Sequence, residues 1–482
     1  MTATPQGTAR YFEKIQAKGV HALSAPLGRT ELLVSRVGFG GYRLHEFEPE
    51  HREALTNALL GGCNLIDTSS NYTDGSSERL IGQVLSELIG NGSLKRDEVV
   101  VVSKVGYVQG TALKEAKGRA ERGTPYRDMV EYQSDCWHNI SPEFLEAQIT
   151  ECLQRLRLEQ LDVLLLHNPE YYLKSSGTRD VYYQRIEKAF RYLESECVKG
   201  RIQFYGISSN TFPEDEARSD FTSLGRIIEI AAQVARPSKF AVIEFPFNLL
   251  ESGAALTKNN KQETVFDVAA RANLGVLTNR PFNSYGRGKL IRLTSFPTHD
   301  EVTIKGGMHT TLGRAIELEK LAPGFPKAAQ AFQWAHVLRD KMGDFDDLLA
   351  WREALYQQIY PSIRNGIERL TTDRQPWAEE YRNVMRELLG LITSDLENLA
   401  AQKSSLFEEQ IMNVAPELRE STLEPQSLSR RLLRLYTGFP QVSSVLVGMR
   451  HPSYVRDVLV FEPPMKANRA AETMTRFLRH RS

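Results

Sequence analysis

Asn64-Leu65-Ile66-Asp67-Thr68-Ser69-Ser70-Asn71-Tyr72 carries a short apolar strand into an aspartate, with a tyrosine on the loop beyond it. Two later runs end in the same manner. Val99-Val100-Val101-Val102-Ser103 leads into Lys104, and Leu161-Asp162-Val163-Leu164-Leu165-Leu166 leads into His167. Functional side chains gather at the carboxyl ends of parallel strands. Asp67, Tyr72, Lys104 and His167 are therefore expected at one end of one sheet.

Outward from these runs, short β-branched segments alternate with amphipathic ones. Strands are expected at 36–42, in the runs ending at Asp67, Lys104 and His167, and at 200–208, 240–245, 274–278 and 442–448. Between them, 142–153 repeats apolar residues at helical spacing, with Ser141 as its expected N-cap. Eight strand–helix units predict an α/β fold, a (β/α)8 TIM barrel. Residues 27–35 read as a hairpin ahead of the first strand. The alternation stops after Asn283 and resumes near Leu428, with mostly helical sequence between. Amphipathic stretches begin at Phe345 and at Trp377, and 323–326, 371–376 and 415–416 read as breaks. The expected organisation is an N-terminal extension over 1–25, a barrel over 26–290 and 427–482, and a large helical insertion after strand 7 over 291–426.

Composition is that of an ordinary globular chain, with 41% hydrophobic and 25% charged residues. Sixty basic residues balance sixty acidic ones, so no overall field favours nucleic acid or an anionic membrane. The basic run Ser429-Arg430-Arg431-Leu432-Leu433-Arg434 alternates with leucines as a barrel helix does. Arg456 and Asp457 read as a surface pair on the last barrel helix. No apolar run approaches the ~20 residues of a membrane span. Four cysteines without metal or disulfide spacing, and an N-terminus without an apolar core, suggest a cytoplasmic setting.

Reducing a carbonyl requires a hydride for carbon and a proton for oxygen. Tyr72 can give that proton, Lys104 can favour its phenolate, Asp67 can hold the lysine charged, and His167 can orient the oxygen. Taken singly, each has a structural alternative: a turn cap, a loop tyrosine, an ion-pair partner, a packed histidine. Taken together at ordered strand ends, they favour chemistry.

The same residues lie in wording that resembles the aldo-keto reductase superfamily. It is carried by Pro26-Leu27-Gly28-Arg29-Thr30, Asp67 to Tyr72 with Gly75-Ser76-Ser77-Glu78, Ser103-Lys104, Leu156 to His167 with Pro169, Tyr205-Gly206-Ile207-Ser208 and Val447-Gly448-Met449-Arg450. The resemblance implies a (β/α)8 barrel that takes NADP(H), with NAD(H) as the alternative. It implies a catalytic tetrad of Asp67, Tyr72, Lys104 and His167. Gly40, Gly41 and Tyr42 would line the nicotinamide end beside Asp67, and Ser208 would help hold the carboxamide. Ser209 occupies a position that is often asparagine, with Asn210 next to it. Glu244 stands where glutamine is frequent, either as a carboxamide acceptor or as a partner of Arg280. Asn279 stands where an aromatic commonly stacks, with Phe282 nearby. Gly448, Met449, Arg450 and Tyr454 lie where the adenosine phosphate would be gripped, and Arg450 would favour a 2′-phosphate.

Candidate substrate contacts are Tyr42, Tyr107, Trp137, His138, Tyr171 and Tyr172; Trp137 can equally cover a helix end, and His138 can serve structure. The expected activity is NAD(P)H-dependent reduction of an aldehyde, ketone or sugar carbonyl, or oxidation of the alcohol. The rival reading is a cofactor-binding regulatory subunit whose insertion meets a partner. The insertion has three readings: lid, partner surface or homo-oligomer arm. A metal-dependent hydrolase lacks a His-x-His pair at any strand end, so no metal site is expected.

Overall fold

The computed structural model describes residues 2–175, 177–286, 289–322, 332–370, 374–420, 426–460 and 462–480. Eight parallel strands close a barrel. In chain order they are β1 (Val37–Gly40), β2 (Leu65–Asp67), β3 (Val100–Val105), β4 (Leu161–His167), β5 (Ile202–Ser208), β6 (Phe240–Pro246), β7 (Gly275–Asn279) and β8 (Ser444–Val447). All eight strands foreseen from the sequence are present, with ends that differ by no more than two residues.

The strands read as near-continuous apolar runs because both faces are covered. Leu65, Val100, Val102, Val163, Leu165, Val242 and Leu277 share one interior cluster with Leu27, Leu32 and Val34. The last three come from the hairpin Ser24–Pro26 with Leu33–Ser35, which pairs antiparallel. Gly28 in its turn has φ +51°, and a Cβ there would lie 2.1 Å from the Gly275 nitrogen. Only glycine lets the hairpin approach the start of β7 this closely.

Strand register brings the chemistry to one rim. Gly40 pairs with Asp67, Lys104 with Leu165, His167 with Ser208, Ser208 with Glu244, and Pro246 with Asn279. The opposite end is tied by Asp162, whose carboxylate accepts from Ala3 N, Val101 N and Arg96 Nη2, each at 2.7 Å. A helix at Pro5–Ala17, capped by the Thr4 hydroxyl, continues this anchoring. Its Arg10 and Lys14 reach the buried Glu98 at 3.1 and 2.6 Å.

Several local expectations are corrected. Ser141 does precede the helix Pro142–Leu156, but its side chain makes no capping bond; the side-chain Oδ1 of Asn139 instead accepts from the Ser141 backbone N–H. Between β3 and that helix lies an unforeseen excursion. Tyr107–Val108, Val130–Gln133 and Cys136–His138 form a three-stranded sheet, with a helix at Gly110–Glu121. Asp457 pairs with Arg430 at 3.2 Å rather than with Arg456.

By contacts the chain divides into two units, Met1–Leu293 with Val414–Ser482, and Thr294–Asn413. The chain thus rejoins the barrel unit earlier than residue 427. The turn Pro416–Arg419 does so through buried Glu417, which accepts from Arg476 Nη1 at 2.9 Å. The helical unit has its own core around fully buried Trp351, whose indole N–H donates to Thr393 Oγ1 at 2.9 Å. The stretch beginning at Phe345 becomes three joined pieces, Leu348–Ala354, Leu355–Ile359 and Tyr360–Glu368. The helix foreseen from Trp377 runs over Gln375–Val414 and stops before Pro416. The break at 323–326 and positions 371–373 of the next one lie outside the described residues. Among the described residues no helix is long and apolar enough to cross a membrane.

Replacing Asp162 by alanine would leave half-buried Arg96 without its carboxylate and two backbone N–H groups unsatisfied. Asp162→Ala is expected to cost about 3–5 kcal/mol in urea unfolding; a loss below about 1 kcal/mol would contradict this anchoring role.

Candidate active site

Lys104 ends β3 with its ammonium fully buried. An ammonium has three donors. They go to Asp67 Oδ1, to the Thr68 carbonyl at 3.2 Å and to Tyr72 OH at 3.3 Å. Glu244 Oε2 lies 3.3 Å from the same nitrogen as a charge contact, and no hydrogen bond reaches that oxygen. Its other oxygen accepts from Asn279 Nδ2 at 2.7 Å. Glu244 therefore pairs with Lys104 and Asn279; the expected Glu244–Arg280 pair does not form. Arg280 meets Glu251 at 3.1 Å and donates to Asn210 Oδ1 at 3.2 Å.

The electrostatics follow from two carboxylates and one ammonium in a dry rim. Burial, then the neighbouring Glu244, hold the Asp67 carboxyl well above the usual range, against the pull of Lys104. Burial alone would lower the Lys104 pKa, but Asp67 and Glu244 more than offset it, and it stays raised. Burial also raises the Tyr72 hydroxyl, and Lys104 offsets only part of that. The expectation that the lysine would bring the tyrosine below its ordinary pKa is corrected: burial and the two carboxylates outweigh the ammonium. Because Lys104 donates to the phenol oxygen, the Tyr72 O–H remains free to donate elsewhere.

His167 ends β4 with its ring edge toward Tyr72, centroids 5.9 Å apart. Burial and then Lys104 push its pKa well down, so the ring is neutral. Its Nδ1 shares a hydrogen bond with Ser69 Oγ at 3.0 Å, and Asn71 Oδ1 lies 2.7 Å from the same hydroxyl as a competing acceptor. Nε2 is left to face the rim. Ser69 escaped the sequence reading although it sits inside the opening run; only the fold places it against a residue 98 positions away.

The aromatic candidates divide. Tyr42 is exposed and meets Tyr72 edge-on at 5.3 Å. Tyr107 meets His167 edge-on at 4.6 Å and accepts from Asn168 Nδ2 at 2.8 Å. Tyr171 packs on Tyr107 at 5.1 Å. Three candidates do not join them. Trp137 lies under the Lys117 ammonium at 5.4 Å, on the strand face opposite its neighbour His138. Tyr172 lies under the Arg185 guanidinium at 4.7 Å. His138 is buried, and its Nε2–H donates to the His167 carbonyl at 2.8 Å, so it supports the end of β4 rather than facing solvent.

Among the cofactor candidates, Gly40 ends β1 and Gly41 N donates to the Asp67 carbonyl at 2.7 Å. Ser208 and Ser209 are buried at the end of β5, where Ser209 Oγ bonds Thr211 Oγ1 at 3.2 Å. Asn210 N donates to Glu170 Oε1 at 2.8 Å. Beyond β8, Gly448 is exposed and Met449 buried. Arg450 is half-buried near His51, and Tyr454 packs on the His451 ring at 5.4 Å. Buried acceptors Asn168 Oδ1, Glu244 Oε2 and Asn279 Oδ1 have no hydrogen-bond donor. Three such acceptors at the ends of β4, β6 and β7 suit a ligand that brings N–H groups, as a carboxamide does. Among the described residues no three His, Cys, Asp or Glu side chains are grouped to hold a metal ion.

Residues 36–295 match the model of the aldo/keto reductase family. The chain belongs to this family. A stretch of 150 residues is 30% identical to an NADH-specific methylglyoxal reductase of Escherichia coli, covering 30% of this chain and 40% of that relative. A stretch of 243 residues is 25% identical to a putative voltage-gated potassium channel subunit beta of Schizosaccharomyces pombe, covering 46% of this chain and 63% of that relative. The match thus spans less than two thirds of either relative's length. Among solved structures, the aldo-keto reductase AKR11C1 from Bacillus halodurans in its holo form superposes with TM-score 0.49 at 17% identity, covering 95% of this chain and 96% of that one.

The support role of His138 predicts a pH effect on stability. Burial lowers its pKa from 6.5 to about 4. The unfolded chain thus takes up a proton below about 6.5 that the folded chain refuses until about 4, so stability falls as pH drops through this window. Urea unfolding should lose about 3 kcal/mol more in the parent than in His138→Gln between about pH 7 and about pH 4. Parallel profiles would contradict the assignment.

Proposed function

We propose that this chain is a nicotinamide-dependent oxidoreductase that reduces an aldehyde, ketone or sugar carbonyl, or oxidises the corresponding alcohol. The observation that carries the reading is the Tyr72 hydroxyl held by the Lys104 ammonium at 3.3 Å, with Lys104 anchored by Asp67 and His167 alongside. Membership of the aldo/keto reductase family supports it.

When bound, the cofactor supplies or accepts the hydride. Asn168, Glu244 and Asn279 provide free acceptors for its carboxamide, and Gly40 and Gly41 keep the β1 end open. Tyr72 donates its proton to the carbonyl oxygen as negative charge develops there. Lys104 stabilises the phenolate so formed, and Asp67 keeps Lys104 in place. Neutral His167 turns Nε2 to the substrate oxygen while Ser69 holds Nδ1. In alcohol oxidation Tyr72 acts as the base. Tyr42, Tyr107 and Tyr171 offer apolar faces with polar edges, suited to a small carbonyl compound or a sugar ring. Arg450 beyond β8 favours NADP(H) through a 2′-phosphate contact. The relative named as NADH-specific keeps NAD(H) as the alternative to test.

Single-turnover mixing of NADPH-loaded protein with a reactive aldehyde tests the reading. The parent should oxidise NADPH, and Tyr72→Phe should bind it yet react at least ~10²-fold more slowly. Equal rates in the two would remove Tyr72 from the chemistry.

A further inference from the structure

Two buried carboxylates share one ammonium at this rim, and Lys104 can hydrogen-bond only one of them. Its three donors are spent on Asp67, the Thr68 carbonyl and Tyr72. Glu244 is 1% exposed and its Oε2 has a charge contact but no hydrogen. Among the described residues no other cation forms an ion pair with it. His167 is neutral, Tyr72 keeps its proton, Asn279 carries no charge, and Arg280 is engaged by Glu251 and Asn210. In a medium of low effective dielectric, a second negative charge is costly. The Asp67 carboxyl, held well up by burial and by the Glu244 charge beside it, therefore keeps its proton.

We infer that the Asp67–Glu244 pair makes the site a proton-linked discriminator between the two redox forms of its cofactor, favouring the oxidised form as pH rises. The inference rests on the oxidoreductase reading above. The oxidised nicotinamide ring bears a positive charge and the reduced ring does not. For hydride and proton to reach one carbonyl, the ring must lie beside Tyr72, whose hydroxyl touches the same Lys104 nitrogen as Glu244. A cationic ring there supplies the missing positive charge, and Asp67 gives up its proton to solvent. A neutral ring leaves the proton in place. Linkage then requires the oxidised form to gain affinity, relative to the reduced form, as pH increases. The site becomes a better hydride acceptor at alkaline pH, which tilts bound substrate toward alcohol oxidation. A glutamine at 244 would keep the shape and an oxygen for Asn279, but remove the second charge and the proton with it.

The test is binding, read by NADPH fluorescence and by NADP+ competition, in the parent and Glu244→Gln from about pH 6 to about pH 9. A 2′-phosphate titrates alike in both forms and cancels in the ratio of dissociation constants. In the parent, the oxidised-to-reduced ratio should fall on the order of tenfold over this range. In Glu244→Gln it should stay flat, and be about tenfold higher than the parent at the alkaline end. An indicator dye should also record proton release when NADP+, but not NADPH, binds the parent; this reading stands even if the variant fails to fold. A pH-independent ratio in the parent, with no difference in proton release, overturns the inference and leaves the oxidoreductase reading intact. Failure of both forms to bind overturns both.

Discussion

The Lys104 ammonium is the point on which the rim depends. A lysine with no exposure is tolerated only when its charge is met, and here it is met by Asp67 from β2 and Glu244 from β6, with Thr68 and Tyr72 completing the shell. Each partner comes from a different segment, so the cluster fixes how the ends of three strands and one loop stand relative to each other. The barrel supplies the reverse constraint. Its strands deliver Asp67, Lys104 and Glu244 to the same rim, and all three are buried above the apolar interior. The same dryness that makes the pair costly makes its electrostatics large.

That arrangement explains why one tyrosine is suited to proton transfer while others on the rim are not. Tyr42 is exposed, and Tyr107 receives Asn168 and packs on His167. Among the described rim tyrosines, Tyr72 alone has both an ammonium on its oxygen and an O–H left to give. Its free-state pKa is raised rather than lowered, so the hydroxyl is a proton donor at neutral pH. In the proposed reaction, Lys104 acts at the moment negative charge forms on it. His167 is held neutral by burial and by the same cation, which suits a hydrogen-bonding role better than an ionic one.

Much of this was legible in the sequence because it is written locally. An apolar strand that ends in Asp, Lys or His carries its own position, and alternation with helices fixes a closed parallel barrel. Partnerships across the barrel were less legible. Glu244 and Arg280 were a reasonable pair by charge, but the β6–β7 register sets Asn279 opposite Pro246 and lets its amide reach Glu244. Glu244 turns to Lys104, 140 positions away. Trp137 and His138 are neighbours on one strand, so they must face opposite ways; with the sheet at Tyr107–Val108, Val130–Gln133 and Cys136–His138 unrecognised, both looked equally available. That sheet was missed because its strands are short and partly polar, with pairing set by tertiary context. The unit boundary falls before residue 427 because Glu417, Leu418 and Glu420 join the barrel unit through Thr473, Arg476, Arg431 and Arg469, contacts that no local pattern announces.

The most direct measurement of the account is the single-turnover hydride-transfer rate of Lys104→Met, with folding checked by near-UV circular dichroism. If the Lys104 ammonium organises the rim and stabilises the Tyr72 phenolate, the folded variant should retain NADPH binding and transfer hydride at least ~10²-fold more slowly than the parent. A folded, NADPH-bound variant that reacts within about tenfold of the parent rate would contradict the central place given to this lysine.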